Sequence, residues 1–308
     1  MISVAIPVLN GGPLLDEVLA AVRAQRVPGE EVELVIVDSG STDGSLSVAE
    51  RHGAIVHRIE RSQFSHGGTR NLLMRQTRGA RVAFLTQDAT PASPQWLASL
   101  MRGFARGDDV GLVYGPYRAR PDAPVWVRRE FAEFFGASPS VERGPPGRMP
   151  YYTSANGAVL RSAWEQVPFR AVPYAEDQLL ARDMLTAAWA VAYEPGAPVM
   201  HSHSYPPVEQ FGRLFDEFRA LREIHGHVEE AGVRRTLGTV RRQVARDRAL
   251  LRAEGAYGAA LDRETLGSLR FHATRAAASV LGTRADRLPE RARVALSRDG
   301  RGEFEPVD

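Results

Sequence analysis

The chain of 308 residues is 44% hydrophobic and 25% charged, a globular composition that excludes disordered and fibrous classes. It has no Cys, which removes a disulfide framework, a thiolate zinc site and a cysteine nucleophile. Its basic residues are all Arg and nearly balance the acids, leaving a formal charge of +2, so nothing in the balance calls for a nucleic-acid partner.

That length predicts about two domains, or one with an appendage. Residues 3–9 read as a buried strand; the segment is short, lacks a cationic lead and contains Pro7, so it is not expected to be a signal peptide. Leu15, Val18, Leu19 and Val22 then share one helical face. A second strand over 33–37 ends in Asp38-Ser39-Gly40-Ser41-Thr42-Asp43-Gly44, turn chemistry throughout. A helix from Ser45, a strand over 55–59 and a loop over 64–69 follow, the loop leading into a helix with Leu72 and Leu73. The strand over 81–85 stops at Thr86-Gln87-Asp88, and Ser93-Pro94 marks the start of the next helix. The alternation predicts a mostly parallel α/β sheet flanked by helices.

Beyond residue 115 the pattern changes. Pro and Gly cluster at 120–124 and 144–150, which predicts loops shaping a site. A helix over 126–135, a strand near 156–160, a helix opening at Glu176-Asp177 and a strand over 191–193 lead to His201-Ser202-His203. From Pro207 the chain reads as helical and Arg-rich. No apolar run reaches the ~18 residues needed to span a bilayer, so the expected location is the cytoplasm.

Ligands of parallel sheets bind beyond the carboxyl ends of the strands. Site-type residues stand at four such ends here: Asn10, Asp38, the segment from His66 to Asn71, and Asp88. Any one has a plain structural reading, since Asp38 to Asp43 also suits a turn and helix cap; their recurrence favours a site. The first turn lacks G-x-G-x-x-G, the chain has no P-loop, and no G-x-S-x-G elbow occurs, which removes the usual dinucleotide, phosphate-donor and hydrolase readings.

Val4-Ala5-Ile6-Pro7-Val8-Leu9-Asn10, Val35-Ile36-Val37-Asp38-Ser39-Gly40-Ser41-Thr42-Asp43-Gly44, Asp88, and Ala175-Glu176-Asp177 followed by His201 resemble the family 2 glycosyltransferases of GT-A fold, over roughly residues 1–205. Phe64-Ser65-His66-Gly67-Gly68-Thr69-Arg70-Asn71 and Leu85-Thr86-Gln87-Asp88-Ala89 are similar to the bacterial rhamnosyltransferase branch. The resemblance implies a Rossmann-like GT-A domain, with 1–115 binding the nucleotide sugar, 116–206 holding the acceptor and catalytic half, and 207–308 a helical extension. It implies an inverting transfer from a nucleotide sugar, dTDP-rhamnose for this branch, to a glycan or lipid-linked acceptor. Asp38 inherits the nucleobase contact, with Pro7, Asn10, Ser39 and Gln87 around the nucleoside. His66, Arg70 and Asn71, in a glycine-rich loop at a helix start, suit a diphosphate.

The family's D-x-D metal motif is altered, with Thr86 in place of its first acid, leaving Asp88. One carboxylate serves a hard cation that also binds phosphates and water. The resemblance adds His201 as second ligand, which suits Mn²⁺ better than Mg²⁺. Inversion by direct displacement needs one carboxylate as base, and Asp177 holds that place, with Glu176 orienting the acceptor; an acid in the first turn of a helix is also an ordinary cap. Trp126, Phe131, Phe134 and Phe135 have helical spacing and read as core rather than acceptor platform. The tail carrying Arg234, Arg235, Arg241, Arg242, Arg246 and Arg248 reads as a solvated helix face. It also suits homodimer assembly or peripheral contact with the inner face of the cell membrane. A sugar-nucleotide pyrophosphorylase, another nucleotide-sugar donor and a non-catalytic binder are the competing readings.

Overall fold

The computed structural model describes residues 1–145 and 150–303. Of the loop expected at 144–150, residues 146–149 lie outside the described residues. The chain runs β1 (Ile2–Val8), α1 (Gly12–Arg23), β2 (Val32–Asp38), α2 (Ser45–Arg51), β3 (Ile55–Arg58), α3 (His66–Gln76), β4 (Arg81–Leu85) and β5 (Thr90–Pro91). It continues with α4 (Trp96–Arg102), β6 (Val110–Tyr114), β7 (Tyr117–Arg118), α5 (Val125–Phe134), β8 (Ser140–Glu142), β9 (Asn156–Leu160) and α6 (Arg161–Gln166). Then come α7 (Glu176–Thr186), β10 (Ala190–Tyr193), β11 (Val199–Met200), α8 (Pro207–His225), α9 (Val233–Ala253), α10 (Gly258–Gly282) and α11 (Glu290–Leu296). Two compact units result: Met1–Arg120 with Phe131–Ser202, and Pro121–Glu130 with His203–Asp308.

The first unit is built on a sheet ordered β3-β2-β1-β4-β9-β6-β10-β8. β3, β2, β1 and β4 are parallel, as the alternating pattern requires, while β9 runs antiparallel to both β4 and β6. Period-2 alternation splits β1 between the two faces. Ile2, Val4, Ile6 and Val8 pack with Leu15, Val18, Leu19 and Val22 of α1 and with Trp96 and Leu100 of α4. Ala5, with Val35 and Val37 of β2, joins Leu73 and Met74 of α3 and Leu180 and Met184 of α7 on the opposite face. Pro7 falls beyond the last β1–β4 pair, Ala5 with Phe84, so its missing N–H breaks no bond in that ladder. A small second sheet ordered β5-β11-β7 sits where the site residues converge.

Two helix starts differ from the sequence reading. α3 begins at His66 instead of after Thr69, because the Ser65 hydroxyl accepts the Gly68 N–H at 3.2 Å and caps the turn. α4 begins at Trp96, since Ser93 accepts the Gln95 N–H with its hydroxyl and the Trp96 N–H with its carbonyl, closing a separate turn first.

In the second unit, Leu214, Phe215 and Phe218 of α8 pack with Ala278 of α10. The helices approach closely because residue 282 is Gly: a Cβ there would lie 2.6 Å from the Phe215 carbonyl oxygen. Trp126 stacks on Phe271 at 5.0 Å beside Val125, Leu251 and Leu261. Asp247, fully buried, accepts from Arg129 at 2.5 Å and Ser268 at 2.6 Å and meets His272 at 2.8 Å. Among the described residues no helix is long and apolar enough to cross a membrane.

Candidate active site

The first cluster, at the carboxyl ends of β1 and β2, is a set of turns locked by side-chain hydrogen bonds. Asp38, the last residue of β2, is fully buried, and its Oδ1 accepts the N–H groups of Gly40 and Ser41 at 3.1 Å each. Its Oδ2 is buried without a partner among the described residues. An orphaned carboxylate oxygen is costly, and an N–H of a bound base would satisfy it. Asn10 adopts a left-handed φ of 50°, a region Asn tolerates, and its Oδ1 accepts the Thr42 N–H at 2.8 Å. Ser39 extends the β1–β2 pairing through Val8. Gln87 clamps Leu9, accepting its N–H at 2.8 Å and donating to its carbonyl at 3.0 Å.

The small sheet brings Asp88 and His201 together. Asp88 precedes β5 and His201 follows β11, and the Met200–Thr90 register sets them side by side. The His201 Nδ1 lies 3.5 Å from the Asp88 Oδ1. Arg120 holds the turn, donating to the Asp88 carbonyl at 3.1 Å and the Thr90 hydroxyl at 3.0 Å. A carboxylate and an imidazole at this separation are a fitting pair of donors for a Mn²⁺-type cation that takes its other ligands from phosphate and water.

The third cluster is acidic. Glu176 and Asp177 open α7 directly after Ala175, whose φ of 57° is strained for a residue with a Cβ. Asp177 accepts the Ser154 N–H at 3.2 Å and the Gln178 N–H at 2.8 Å. Burial and the charge of Glu176 raise its carboxyl from 3.8 to about 7, against the pull of Arg70 and those two N–H groups. Glu176 is buried and pairs with Arg70 at 2.7 Å. Arg70, 6% exposed, also donates to the His66 carbonyl at 3.1 Å, so its guanidinium serves the acid pair. His66 sits in the first turn of α3 with its ring 5.1 Å from Phe64. The two glycines beside it meet packing needs: a Cβ on Gly67 would lie 2.0 Å from the Arg170 carbonyl oxygen, and one on Gly68 2.4 Å from the Ser65 hydroxyl. Asn71 points away to the scaffold, donating to the Phe169 carbonyl at 2.8 Å and accepting from Trp164 at 2.8 Å.

A family model described as Glycosyl transferase family 2 matches residues 3–167. The chain belongs to this family. It is 32% identical over 227 residues to the O-antigen chain rhamnosyltransferase RfbN of Salmonella typhimurium, covering 70% of each chain. It is 30% identical over 201 residues to the O-antigen chain rhamnosyltransferase WbaN of Salmonella anatum, covering 62% of this chain and 63% of that one. The mannosyltransferase PcManGT from Pyrobaculum calidifontis, solved in complex with GDP-Man and Mn²⁺, superposes with a TM-score of 0.59 at 19% identity, covering 93% and 88% of the two chains. Staphylococcus aureus TarS residues 1–349 superpose with a TM-score of 0.53 at 16% identity, covering 93% and 91%. The GT-A fold is therefore that of this family 2 glycosyltransferase.

Three features of this glycosyltransferase were not readable from its motifs. Arg120 is one, since nothing near it in sequence points to Asp88. Tyr117 is another: its ring lies 5.0 Å from that of His201, and its hydroxyl meets that of Thr153, next to the Ser154 that donates to Asp177. The third corrects the sequence reading. Phe134, expected in the core, is 59% exposed, because helical spacing identifies a face without showing whether anything covers it.

Proposed function

We propose that the protein is an inverting transferase that moves rhamnose from dTDP-rhamnose to a glycan or lipid-linked acceptor. The observation that carries the transfer chemistry is Asp177, a carboxylate whose surroundings raise it to about 7, the range suited to a general base at neutral pH. In this reading Asp177 takes the proton of the acceptor hydroxyl as that oxygen bonds to the anomeric carbon. The bond from that carbon to the diphosphate breaks on the opposite face, which inverts the centre. Asp38 accepts an N–H of the base through its unpartnered Oδ2, and Arg70 steadies Glu176 beside the base. Asp88 and His201 would hold a divalent cation, which when bound neutralises charge on the departing nucleoside diphosphate.

Similarity to two O-antigen rhamnosyltransferases supports the sugar and a glycan acceptor. The Arg-rich α9, with Val233 and Leu237 exposed, supports contact with an anionic lipid surface where a lipid-linked acceptor is held. The test is a nucleotide-sugar panel with Mn²⁺, read by thermal shift and by release of nucleoside diphosphate. The dTDP-rhamnose is expected to stabilise most and turn over fastest. Better turnover of a UDP- or GDP-sugar would overturn the donor assignment, and pyrophosphate exchange would overturn the transferase reading.

A further inference from the structure

A run of aromatic rings leads from the protein surface to the reacting groups. Phe134, at the end of α5, packs edge-on against Tyr151 and Phe135, with ring centroids 4.8 and 4.9 Å apart. Phe135 lies 5.4 Å from Tyr117, and Tyr117 lies 5.0 Å from His201. The wall also borders the proposed base. The Tyr117 hydroxyl meets that of Thr153, and the N–H of the next residue, Ser154, donates to Asp177.

An isolated exposed Phe is ordinary. This one is different in kind: it is the outer member of a contiguous set whose inner members touch the site. The cluster is apolar at its exposed end and turns polar inward, through the Tyr117–Thr153 hydroxyl contact and the Ser154 N–H on Asp177. Small-molecule sites have this make-up, with aromatic walls and a few placed polar groups. A pyranose ring matches it, since its C–H face is apolar and its rim carries hydroxyls. Such a face packs against an aromatic ring while a rim hydroxyl reaches a base.

We infer that Phe134 and Tyr151 form the acceptor subsite, receiving the C–H face of a hexopyranose ring so that one of its hydroxyls meets Asp177. This rests on the transferase reading above. The occupant is the acceptor's sugar; a lipid portion, where present, lies elsewhere.

The experiment uses the full chain and methyl hexopyranosides (glucoside, galactoside, mannoside and rhamnoside) as probes, read by saturation-transfer NMR. The parent protein is expected to saturate the ring C–H protons of at least one glycoside. Phe134→Ala is expected to weaken that binding about three- to tenfold, the scale of losing one ring contact. Phe134→Trp is expected to retain it, and the thermal shift given by nucleotide sugar should be unchanged in both variants. Because Phe134 is exposed, the substitutions leave the core intact. Undiminished saturation with Phe134→Ala, or no glycoside saturated by the parent, overturns the inference. If nucleotide sugar shifts the melting of the parent while glycosides do not bind, the subsite alone fails. If no nucleotide sugar shifts it, the transferase reading fails as well.

Discussion

Asp177→Asn separates binding from chemistry. Asn keeps the size of the side chain and an oxygen for one of the two N–H groups, Ser154 and Gln178, which Asp177 receives on separate oxygens, but it cannot take a proton from an acceptor. Loss of a positioned base typically removes ~10²–10⁴-fold of rate. The raised carboxyl adds a second, independent signature. With a value of about 7, the parent's Asp177 is ionised to about 9% at pH 6 and about 90% at pH 8, so transfer should rise about tenfold across that interval. The variant's residual rate should lack this rise. Donor affinity by calorimetry should survive, since Asp38, Asp88 and His201 are untouched. Stability gives a third readout. A carboxyl raised in the folded state favours folding fully below its ordinary 3.8, and that contribution is lost as pH rises through about 7. Asp177→Asn removes the ionisation, so it should melt higher than the parent at pH 8 and near it at pH 4. Transfer within a few-fold of the parent at pH 8, or a flat parent profile from pH 6 to 8, would refute the assignment, and Glu176 would be the next base to test.

Two further outcomes follow from the geometry. Asp88→Ala and His201→Ala should each weaken Mn²⁺-dependent donor binding in calorimetry, because each removes one of the paired cation donors; equal affinity with and without Mn²⁺ in the parent would remove the metal assignment. In the helical unit, Asp247→Asn takes a fully buried carboxylate away from Arg129, Ser268 and His272 and should lower unfolding free energy by ~3–5 kcal/mol in urea. Burial pushes that carboxyl up, but His272, Ser268 and Arg129 outweigh it and hold it below 3.8. Its contribution is therefore present above that value and lost on acidification below it, which the variant should not show.

The parts of the site readable from sequence are those made by neighbours in the chain. Asp38 and Asp88 end apolar runs in turn residues, and a strand end in an open sheet is where ligands bind. Leu15, Val18, Leu19 and Val22 share one period, and all four are buried. What depended on distant partners was not readable. The Asn71 amide is taken up by Phe169 and Trp164, about a hundred residues on, and the Gln87 amide by Leu9. Arg70 falls in a segment that reads as a phosphate loop, yet Ser65 caps the helix early and turns Arg70 inward to Glu176. The antiparallel course of β9 leaves no mark in a five-residue apolar run, since strand direction is set by what the chain does elsewhere.

The places where local rules are broken converge on one helix end. Ala175 takes a backbone region that favours Gly, two acids stand in sequence beside the buried Arg70 that pairs with one of them, and the other is raised toward neutrality. Each of these lowers stability, and together they give an acid that is half-ionised where cells work. The balance depends on Glu176 and Arg70 acting as a pair. Removing the Glu176 charge would let Asp177 ionise more readily and so weaken it as a base, while leaving Arg70 buried and unmatched. Removing Arg70 would raise Asp177 further and keep it protonated. Either change therefore alters how readily Asp177 ionises, which is the reason to treat the buried Glu176–Arg70 pair as the setting that holds Asp177 near 7.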